Sequence, residues 1–339
     1  MAKVIVAMSG GVDSSVAAFL LKQDGHDVIG VTMRLFSLEG CNNGIVEEAK
    51  KVADQIGIGH QEINFLKEFE EEVIKDFVKE YESGHTPNPC VKCNRTIKFG
   101  YLLQQIDNFK ADYLATGHYA RIVDGNLCKG KDEKKDQSYF LYGIKKEYLS
   151  KIMFPVGDLT KDEVRAIAVK ENLVAAKKPE SQEICFIPDN DYPSYLKKHL
   201  DKVHIISGPI LDTYGKEIGM HKGLPFYTIG QRKGIDVSGG EPKYVIRIDV
   251  VENSITVGYE KDLEKVEVEA GNLNWLFETK KTFKAKAKIR YNMQEISGEG
   301  KIEGEKVAFK FDRPVRAITP GQSIVFYEGD KVLGGGIIR

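Results

Sequence analysis

The stretch Lys3-Val4-Ile5-Val6-Ala7-Met8-Ser9-Gly10-Gly11-Val12-Asp13-Ser14-Ser15 decides the fold of the first half of the chain. An apolar, β-branched run ends at a hydroxyl and two glycines, and a helical pattern continues from Val16. Two adjacent glycines let the backbone turn sharply and expose successive N–H groups, which with the helix N-terminus form a nest for phosphate. The lysine of a GxxxxGK[ST] loop is missing here. Residues 9–15, which we call the glycine loop, are therefore predicted to hold phosphates in another way, with an ordinary strand-to-helix turn as the alternative.

Strand and helix patterns alternate through the first half of the chain. The predicted strands after the first are 27–33, 60–65 and 111–117, and the predicted helices are 46–56, 68–81 and 96–106. This order is typical of a doubly wound parallel sheet, which binds ligands at the carboxyl ends of its strands. Ser9, Met33 and Gly117 lie at such ends, and core packing is an equal alternative for Met33.

Beyond about residue 200, turns rich in Gly, Pro and Asp separate short alternating strands. The predicted strands are 208–212, 244–250, 254–257, 284–290, 307–311 and 323–327. They indicate two small β-rich domains, the last of them barrel-like and beginning near Asn272. The expected domain boundaries are 1–200, 201–270 and 271–339.

Composition describes an ordinary globular protein of 339 residues, 42% hydrophobic and 29% charged. No apolar run approaches the roughly 18 residues of a membrane helix, and the N-terminus has no signal-peptide pattern. We therefore expect a soluble, cytoplasmic protein with no membrane partner. The net charge is −1, but residues 271–339 carry 13 Lys and Arg against 8 Asp and Glu, which is compatible with a polyanionic partner.

The cysteines are few and odd in number, which argues against a secreted disulfide scaffold and favours thiol chemistry or burial. They are Cys41, Cys90, Cys93, Cys128 and Cys185. A helical pattern is predicted to start just after Cys93, where the helix dipole, Lys92 and Arg95 would stabilise a thiolate. Cys93 is therefore a candidate nucleophile, and a small buried side chain is the alternative.

Taken with the rest of the chain, the glycine loop acquires a family resemblance. By itself it resembles the PP-loop of the ATP pyrophosphatases, which cleave ATP between its α and β phosphates. Further motifs follow in order: Asn88-Pro89-x-x-x-Cys93-Asn94-Arg95, Thr116-Gly117-His118-Tyr119-Ala120-Arg121, Asp136-Gln137-Ser138-Tyr139-Phe140-Leu141, Ser181-Gln182-Glu183-Ile184-Cys185-Phe186, Thr228-Ile229-Gly230-Gln231-Arg232 and Thr319-Pro320-Gly321-Gln322. Together they resemble the bacterial tRNA-specific 2-thiouridylases over nearly the whole chain. The resemblance implies an adenine nucleotide alpha hydrolase-like PP-loop domain followed by two β-rich domains.

The resemblance also implies a reaction, its cofactors and its partners. ATP with Mg²⁺ would adenylate the C2 oxygen of uridine 34 in the tRNA anticodon loop, releasing pyrophosphate and later AMP. Cys185 would carry a persulfide from a sulfur-relay protein, and Cys93 would resolve it by forming a disulfide that a reductant resets. A terminal persulfide sulfur is the transferable nucleophile that this exchange needs.

The resemblance assigns two sets of binding residues. Those implied for ATP are Val6, Ala7, Met8, Ser9, Gly10, Gly11, Val12, Asp13, Met33 and Gly117. Those implied for tRNA are Asn88, Pro89, Cys90, His118, Lys135, Asp136, Gln137, Arg290, Tyr291 and Gln322. Tyr, Gln and His suit unstacked anticodon bases, and Asn88 and Pro89 would flank a base flipped out of its stack.

One position departs from the family, because many members have Asp where this chain has Cys90. If that Asp transfers protons, another group must do so here. Cys90, Cys93 and Cys185 also leave an iron–sulfur cluster open as an alternative. Two other functions remain at this stage, namely a synthetase that attacks the adenylate with an amine, and an ATP-gated RNA-binding module. Only the thiolation reaction requires both Cys93 and Cys185.

Overall fold

The chain builds one parallel sheet near its N-terminus and two further sheets after it. The computed structural model describes residues 1–36, 42–178, 184–187, 191–200, 205–235, 237, 241–278 and 280–339. Cys41 and residues 181–183 of the motif around Cys185 lie outside the described residues.

The regular elements follow in chain order. The strands are β1 (Lys3–Ala7), β2 (Asp27–Arg34), β3 (Gly59–Asn64), β4 (Tyr113–Thr116), β5 (Ala120–Val123), β6 (Asn126–Lys129), β7 (Ile152–Met153), β8 (Gly208–Leu211), β9 (Glu217–His221), β10 (Tyr244–Asp249), β11 (Ser254–Gly258), β12 (Glu264–Trp275), β13 (Thr282–Lys288), β14 (Ile296–Glu303), β15 (Lys306–Arg316), β16 (Ser323–Glu328) and β17 (Lys331–Ile338). The α-helices are α1 (Val12–Gln23), α2 (Asn42–Ile56), α3 (Leu66–Phe69), α4 (Lys75–Glu82), α5 (Pro89–Cys93), α6 (Ile106–Phe109), α7 (Lys161–Lys170) and α8 (Tyr192–His199).

Two π-helical segments extend these helices. Glu70–Ile74 joins α3 to α4, so residues 66–82 form one continuous helix, which we call the bracing helix. Asn94–Leu102 continues α5, and together they form what we call the cysteine helix. π-Helical turns are rare and are often found at functional sites.

The parallel sheet has the order β3-β2-β1-β4-β7, and every neighbouring pair in it is parallel. Both of its faces are covered: Val4 and Val6 belong to a core cluster that includes Leu21 of α1, while Ile5 belongs to one that includes Phe77 of the bracing helix. Alternate side chains of β1 are thus buried on opposite faces. The prediction of a doubly wound parallel sheet is confirmed.

Two β-rich sheets follow, as the turn pattern predicts. One is a small mixed sheet of order β10-β11-β8-β9, in which β11 and β8 run parallel. In the other, β12 pairs with both β15 and β17, so six strands close into a barrel of order β12-β15-β14-β13-β16-β17. An aromatic core fills the barrel, where Trp275 and Phe326 stack with ring centroids 5.5 Å apart.

The hairpin β5–β6 leaves the first part of the chain and extends the last sheet, because β6 pairs with β17 through Cys128 and Lys331. The parallel-sheet part and the barrel are therefore joined by backbone hydrogen bonds as well as by side chains. The boundaries 1–200, 201–270 and 271–339 stay a prediction. None of the described helices is both long and apolar enough to span a membrane.

The end of β4 lies directly against the glycine loop. A Cβ atom on Gly117 would fall 2.6 Å from the backbone nitrogen of Ser14 and 2.7 Å from the carbonyl carbon of Asp13. Real Cβ atoms do not approach backbone so closely, so only glycine allows this contact.

We predict that Gly117→Ala destabilises the protein by about 1–3 kcal/mol, because the added methyl group has to displace the loop backbone. Thermal and denaturant unfolding would measure the loss. Gly59→Ala is the matched control, since a Cβ there meets nothing within 4 Å. Equal stability of the two variants would contradict the close contact.

Candidate active site

The glycine loop lies at the carboxyl end of β1 and is held by its own serines. The hydroxyls of Ser15 and Ser14 donate to the Gly11 carbonyl oxygen at 2.8 and 3.1 Å, and the Ser9 N–H donates to Ser14 Oγ at 3.2 Å. Gly11 is the N-cap of α1 and contributes no side-chain cap, so the N–H groups of the first turn remain for a phosphate. Gly10 has a φ of 68°, which favours glycine.

Asp13 is held by two groups from distant parts of the chain. Lys161 Nζ and Tyr119 Oη each donate to Asp13 Oδ1 at 2.7 Å. Lys161 is only 8% exposed, so its ammonium group is fixed beside the loop. Sequence reasoning missed Lys161, although one signal existed: it opens α7 behind the capping box of Thr160, where the helix dipole disfavours a cation.

A second lysine also borders the loop. Lys178 forms an ion pair with Glu48 of α2, and the Cβ of Glu48 lies 3.2 Å from where a Cβ on Gly10 would be. Two ammonium groups from other segments thus border a loop that has no lysine of its own. Nothing in the sequence pattern pointed to Lys178.

Several residues predicted to bind ATP have their side chains in the core. Val6, Met8 and Val12 are at most 6% exposed, so at these positions only backbone atoms are available to a nucleotide. Met33 is half-buried and packs against the core cluster that contains Ile5 and Phe77, as the core-packing alternative predicts. Its role toward a nucleotide stays a prediction.

The cysteine helix begins earlier than predicted. Asn88 is its N-cap and accepts a hydrogen bond from the Val91 N–H at 3.3 Å, and Pro89 occupies the first turn. Cys93 therefore lies inside the helix, where it is 8% exposed. Burial raises the pKa of the Cys93 thiol to about 11. The prediction that the helix starts just after Cys93 and exposes its thiolate is wrong, since the helix already contains Cys93 and burial outweighs the charge of Lys98.

The apolar sequence neighbours of Cys185 would by themselves suggest that it lies in the core, but it does not. Its side chain is exposed, while Phe186 beside it is buried. Protein nevertheless surrounds the thiol closely enough that desolvation, followed by the charges of Cys93 and Cys90, raises its pKa to about 12. The residue thus has an exposed surface while its thiol group is partly desolvated.

The bracing helix supports both cysteine segments. Phe186 packs against Phe69 and Phe77 with ring centroids 5.7 and 5.4 Å away. On the same helix, Asp76 accepts a hydrogen bond from Lys92 Nζ at 3.1 Å and so holds the cysteine helix. Lys92, which the sequence suggested as a partner of Cys93, is therefore used for this ion pair. Two thiols 92 positions apart in sequence are placed by one element.

Lys98 is the cation that faces the thiols, and sequence reasoning missed it. Its charge lowers the pKa of Cys90, Cys93 and Cys185, although burial outweighs it at each. In an α-helix, five residues would turn Lys98 about 140° away from Cys93. The i-to-i+5 hydrogen bonds of the π-helical segment instead bring residues five apart onto one side.

His118 connects Lys98 to the end of β4. Lys98 Nζ lies 3.4 Å from His118 Nε2, and His118 Nδ1 lies 2.7 Å from Thr116 Oγ1. Because burial holds the pKa of His118 well below its ordinary value, the ring is neutral. An ammonium group only donates, so Nε2 accepts and Nδ1 carries the proton toward Thr116.

The barrel holds the chain that leads into the cysteine helix. Gln322 Nε2 donates to the carbonyl oxygens of Thr86 and Pro87 at 2.8 and 3.3 Å, and the Thr86 N–H donates to Pro320 at 2.9 Å. Arg290 donates to Thr319 Oγ1 at 3.0 Å on the same side of the barrel. The predicted tRNA residues Gln322 and Arg290 are thus engaged in fixing protein backbone and side chains.

The other residues predicted to contact tRNA have different surroundings. Asp136 is 5% exposed and accepts hydrogen bonds from the Gly130 N–H and from Ser138, so its carboxylate has an internal role. Gln137 Oε1 accepts from the Tyr119 N–H at 2.9 Å, and Tyr291 packs on Phe140 with ring centroids 4.6 Å apart. Lys135 is half-buried. Their contact with RNA stays a prediction.

Within the part of the chain that the structure describes, no group of three or more His, Cys, Asp or Glu side chains is arranged to hold a metal ion. Cys90, Cys93 and Cys185 influence one another's charge but, among the described residues, do not form such a group. The alternative of an iron–sulfur cluster therefore gains no support from the described residues.

Comparison with known proteins covers almost the whole chain. Residues 2–189 match the family model of the tRNA methyl transferase HUP domain, residues 193–259 its PRC-barrel domain, and residues 265–338 the aminomethyltransferase β-barrel domain. The chain is 45% identical to a tRNA-specific 2-thiouridylase MnmA of Carboxydothermus hydrogenoformans, over 99% of this chain and 97% of the relative. It is 47% identical to MnmA 1 of Caldanaerobacter subterraneus subsp. tengcongensis, over 99% and 98%.

Likeness to solved structures is weaker. A crystal structure of a 4-thiouridine synthetase–RNA complex with bound ATP has a TM-score of 0.38 and 18% identity, over 58% of this chain and 50% of that chain. That degree of likeness supports no argument about function.

We predict that Lys161→Met weakens ATP binding and destabilises the fold by about 1–2 kcal/mol, because Asp13 loses its buried partner while remaining partly open to water. Calorimetric titration with ATP and thermal unfolding would measure the two effects. Lys170→Met, an exposed change on the same helix, is the control. Unchanged ATP affinity in Lys161→Met would contradict a role at the loop.

We predict that Lys98→Met moves thiol alkylation to higher pH. The thiols already have raised pKa values, so removing the opposing cation raises them further, and each rise of one in pKa lowers the thiolate fraction about tenfold. Iodoacetamide labelling from pH 7 to 11, quantified peptide by peptide, would show the change. Lys92→Met removes an equal charge that is paired with Asp76 and should leave the profile in place. A profile that Lys98→Met leaves unchanged or moves to lower pH would contradict the assignment.

Proposed function

This chain belongs to the family of the tRNA-specific 2-thiouridylases, and on that premise we propose that it uses ATP to replace the C2 oxygen of uridine 34 in tRNA by sulfur. The observation that carries the proposal is the connection between the glycine loop and the thiols. Gly117 lies on the loop backbone, and the next residue, His118, contacts Lys98 on the cysteine helix. Two consecutive residues, Gly117 and His118, thus connect the phosphate-binding loop with the helix that carries Cys93. This arrangement suits a reaction that uses both ATP and a thiol.

The glycine loop provides the half of the reaction that makes oxygen leave. Its N–H groups and the N-terminus of α1 bind the phosphates of ATP, while Lys161 and Lys178 offset part of their charge. Attack of the uridine O2 on the α phosphate forms an adenylate and releases pyrophosphate. A magnesium ion bound with the triphosphate would neutralise further charge. Asp13 and Glu48, the described carboxylates beside the loop, are each paired with a lysine, so no residue is assigned to that ion.

The cysteines provide the site that carries and transfers the sulfur. Cys185 is exposed, as a residue must be that receives a persulfide from a sulfur-relay protein. Its resting thiol is protonated at neutral pH because of its raised pKa, which protects it from oxidation before loading. The terminal persulfide sulfur then attacks C2, AMP leaves, and a second thiol with an external reductant completes the cycle. Lys98 stabilises the negative charge that moves among these sulfurs.

The anticodon loop is the proposed RNA partner. Asn88 and Pro89 begin the cysteine helix beside the thiols, at the place where a flipped-out uridine would enter. The barrel, which contains most of the basic C-terminal segment, fixes this entrance through Gln322. Asp136 and Gln137 contribute by shaping the protein beneath it.

We predict that the protein, given ATP, a persulfide donor and an unmodified anticodon stem-loop, forms 2-thiouridine that is detectable by nucleoside mass spectrometry. Cys185→Ser should lower the yield on the order of 10³-fold or more, because it removes the thiol that carries the persulfide sulfur. Cys128→Ser, a buried cysteine of β6, should retain the wild-type yield.

Two outcomes would contradict the proposal. One is absence of 2-thiouridine with a competent donor under reducing conditions. The other is a product that forms at the wild-type rate in Cys185→Ser, which would favour an amine-using synthetase instead.

A further inference from the structure

Residues 84–87 connect the bracing helix to the cysteine helix, and we call them the linking segment. The bracing helix holds the first part of this segment, since the His85 N–H donates to the Glu80 carbonyl oxygen at 2.9 Å. The residue that follows the segment is Asn88, the N-cap of the cysteine helix. A change in the position of the linking segment is therefore passed directly to the place where a flipped-out uridine would enter.

The mixed sheet β10-β11-β8-β9, which we call the central sheet, also contacts the linking segment. Thr86 Oγ1 donates to Thr228 Oγ1 at 3.0 Å, in the loop between β9 and β10. A Cβ on Gly84 would lie 2.8 Å from Val250 Cγ2 and 3.1 Å from Ile248 Cγ2, so the end of β10 packs closely on that glycine. The side chain of Thr86 is thus held by the central sheet, whereas its backbone is held by the barrel.

Thr228 is a fixed acceptor, because the loop around it is bonded to itself and to β10. Gln231 Oε1 accepts from the Thr228 N–H at 3.0 Å, and the Gln231 N–H donates to the Thr228 carbonyl oxygen at 2.9 Å. Between these two residues, the Gly230 N–H donates to the Val245 carbonyl oxygen at 2.8 Å. This loop is the motif at residues 228–232, to which the proposed reaction assigns no residue.

We propose that the Thr86–Thr228 hydroxyl pair positions the start of the cysteine helix, so that the central sheet sets how fast a bound uridine is thiolated. The inference rests on the proposed function, because it names two positioning residues for that reaction. Neither side chain has to touch RNA or sulfur. The effect of the pair passes through the backbone of residues 86–88.

The magnitudes of the two possible effects favour positioning over stability. A single neutral hydrogen bond contributes only modestly to the stability of a folded chain. A misplacement of about 1 Å at the reacting atoms, in contrast, can cost on the order of 10²-fold in rate. The bonds from Gln322 to the linking segment remain when the hydroxyl pair is lost, so the segment stays attached to the barrel. Loss of the pair should therefore lower the rate of the bound complex much more than its RNA affinity.

The test is a single turnover with saturating ATP and anticodon stem-loop, started from protein loaded with a small-molecule cysteine persulfide. Thr86→Val and Thr228→Val each replace a hydroxyl by a methyl group and should lower the rate of 2-thiouridine formation about tenfold or more. The dissociation constant of the stem-loop should change by less than about twofold in both variants. Thr86→Ser and Thr228→Ser retain the hydroxyl and should retain a rate within about threefold of the wild type. Thr213→Val, on the exposed turn between β8 and β9, is the control.

The double variant Thr86→Val/Thr228→Val tests whether the two hydroxyls act as one contact. Its rate should be close to that of either single variant, because the second substitution removes nothing further. Rate losses that multiply in the double variant would overturn the inference. A wild-type rate in either Val variant, or equal losses in the Val and Ser variants, would also overturn it while leaving the proposed function intact.

A second measurement needs no turnover. Amide hydrogen exchange in the peptide that covers residues 86–93 should be faster in Thr86→Val and Thr228→Val than in the wild type, by about fivefold at its slowest amides, while peptides of the parallel sheet keep their rates. Unchanged exchange in this peptide would overturn the inference. Absence of 2-thiouridine from the wild type would instead reject the proposed function, and the exchange rates would then decide whether the pair positions the helix.

Discussion

The contact on which the site depends is one between two pieces of backbone, where Gly117 lies against Asp13 and Ser14. This contact fixes the end of β4 on the glycine loop, and the two residues after Gly117 then have defined partners. Tyr119 Oη donates to Asp13 Oδ1 at 2.7 Å, while His118 accepts a hydrogen bond from Lys98 of the cysteine helix. Four consecutive residues, 116–119, therefore set the distance between the phosphate nest and the sulfur chemistry.

The bracing helix and the barrel complete this arrangement from two other directions. The bracing helix holds the cysteine helix through Asp76 and the segment of Cys185 through Phe186. The barrel holds the segment before the cysteine helix through Gln322, and Gly321 leaves room for that segment, since a Cβ on Gly321 would lie 2.9 Å from the backbone of Thr86. Each supporting element contributes packing or backbone hydrogen bonds and leaves Cys90 and Cys185 open to solvent.

Much of this could be predicted from sequence, because the glycine loop, the strand periodicity and the motif series are local signals. Residues 97–102 look helical, but nothing local distinguishes π from α turns, and so the placement of Lys98 was missed. Strands β14 and β17 were missed because they are rich in glycine. The rings of Phe309 and Phe283 occupy the places where side chains on Gly298 and Gly300 would be. The protonated state of Cys93 depends on burial by distant segments, which no short pattern reports.

The central claim is that ATP makes the uridine oxygen leave so that sulfur can replace it. The most direct measurement uses an anticodon stem-loop labelled with ¹⁸O at C2 of uridine 34, and follows the label by mass spectrometry after one turnover. Adenylation of that oxygen requires the label to appear in the phosphate of AMP, in the same amount as the 2-thiouridine formed. Release of the label into water or inorganic phosphate, with unlabelled AMP or with ADP as the nucleotide product, would contradict it.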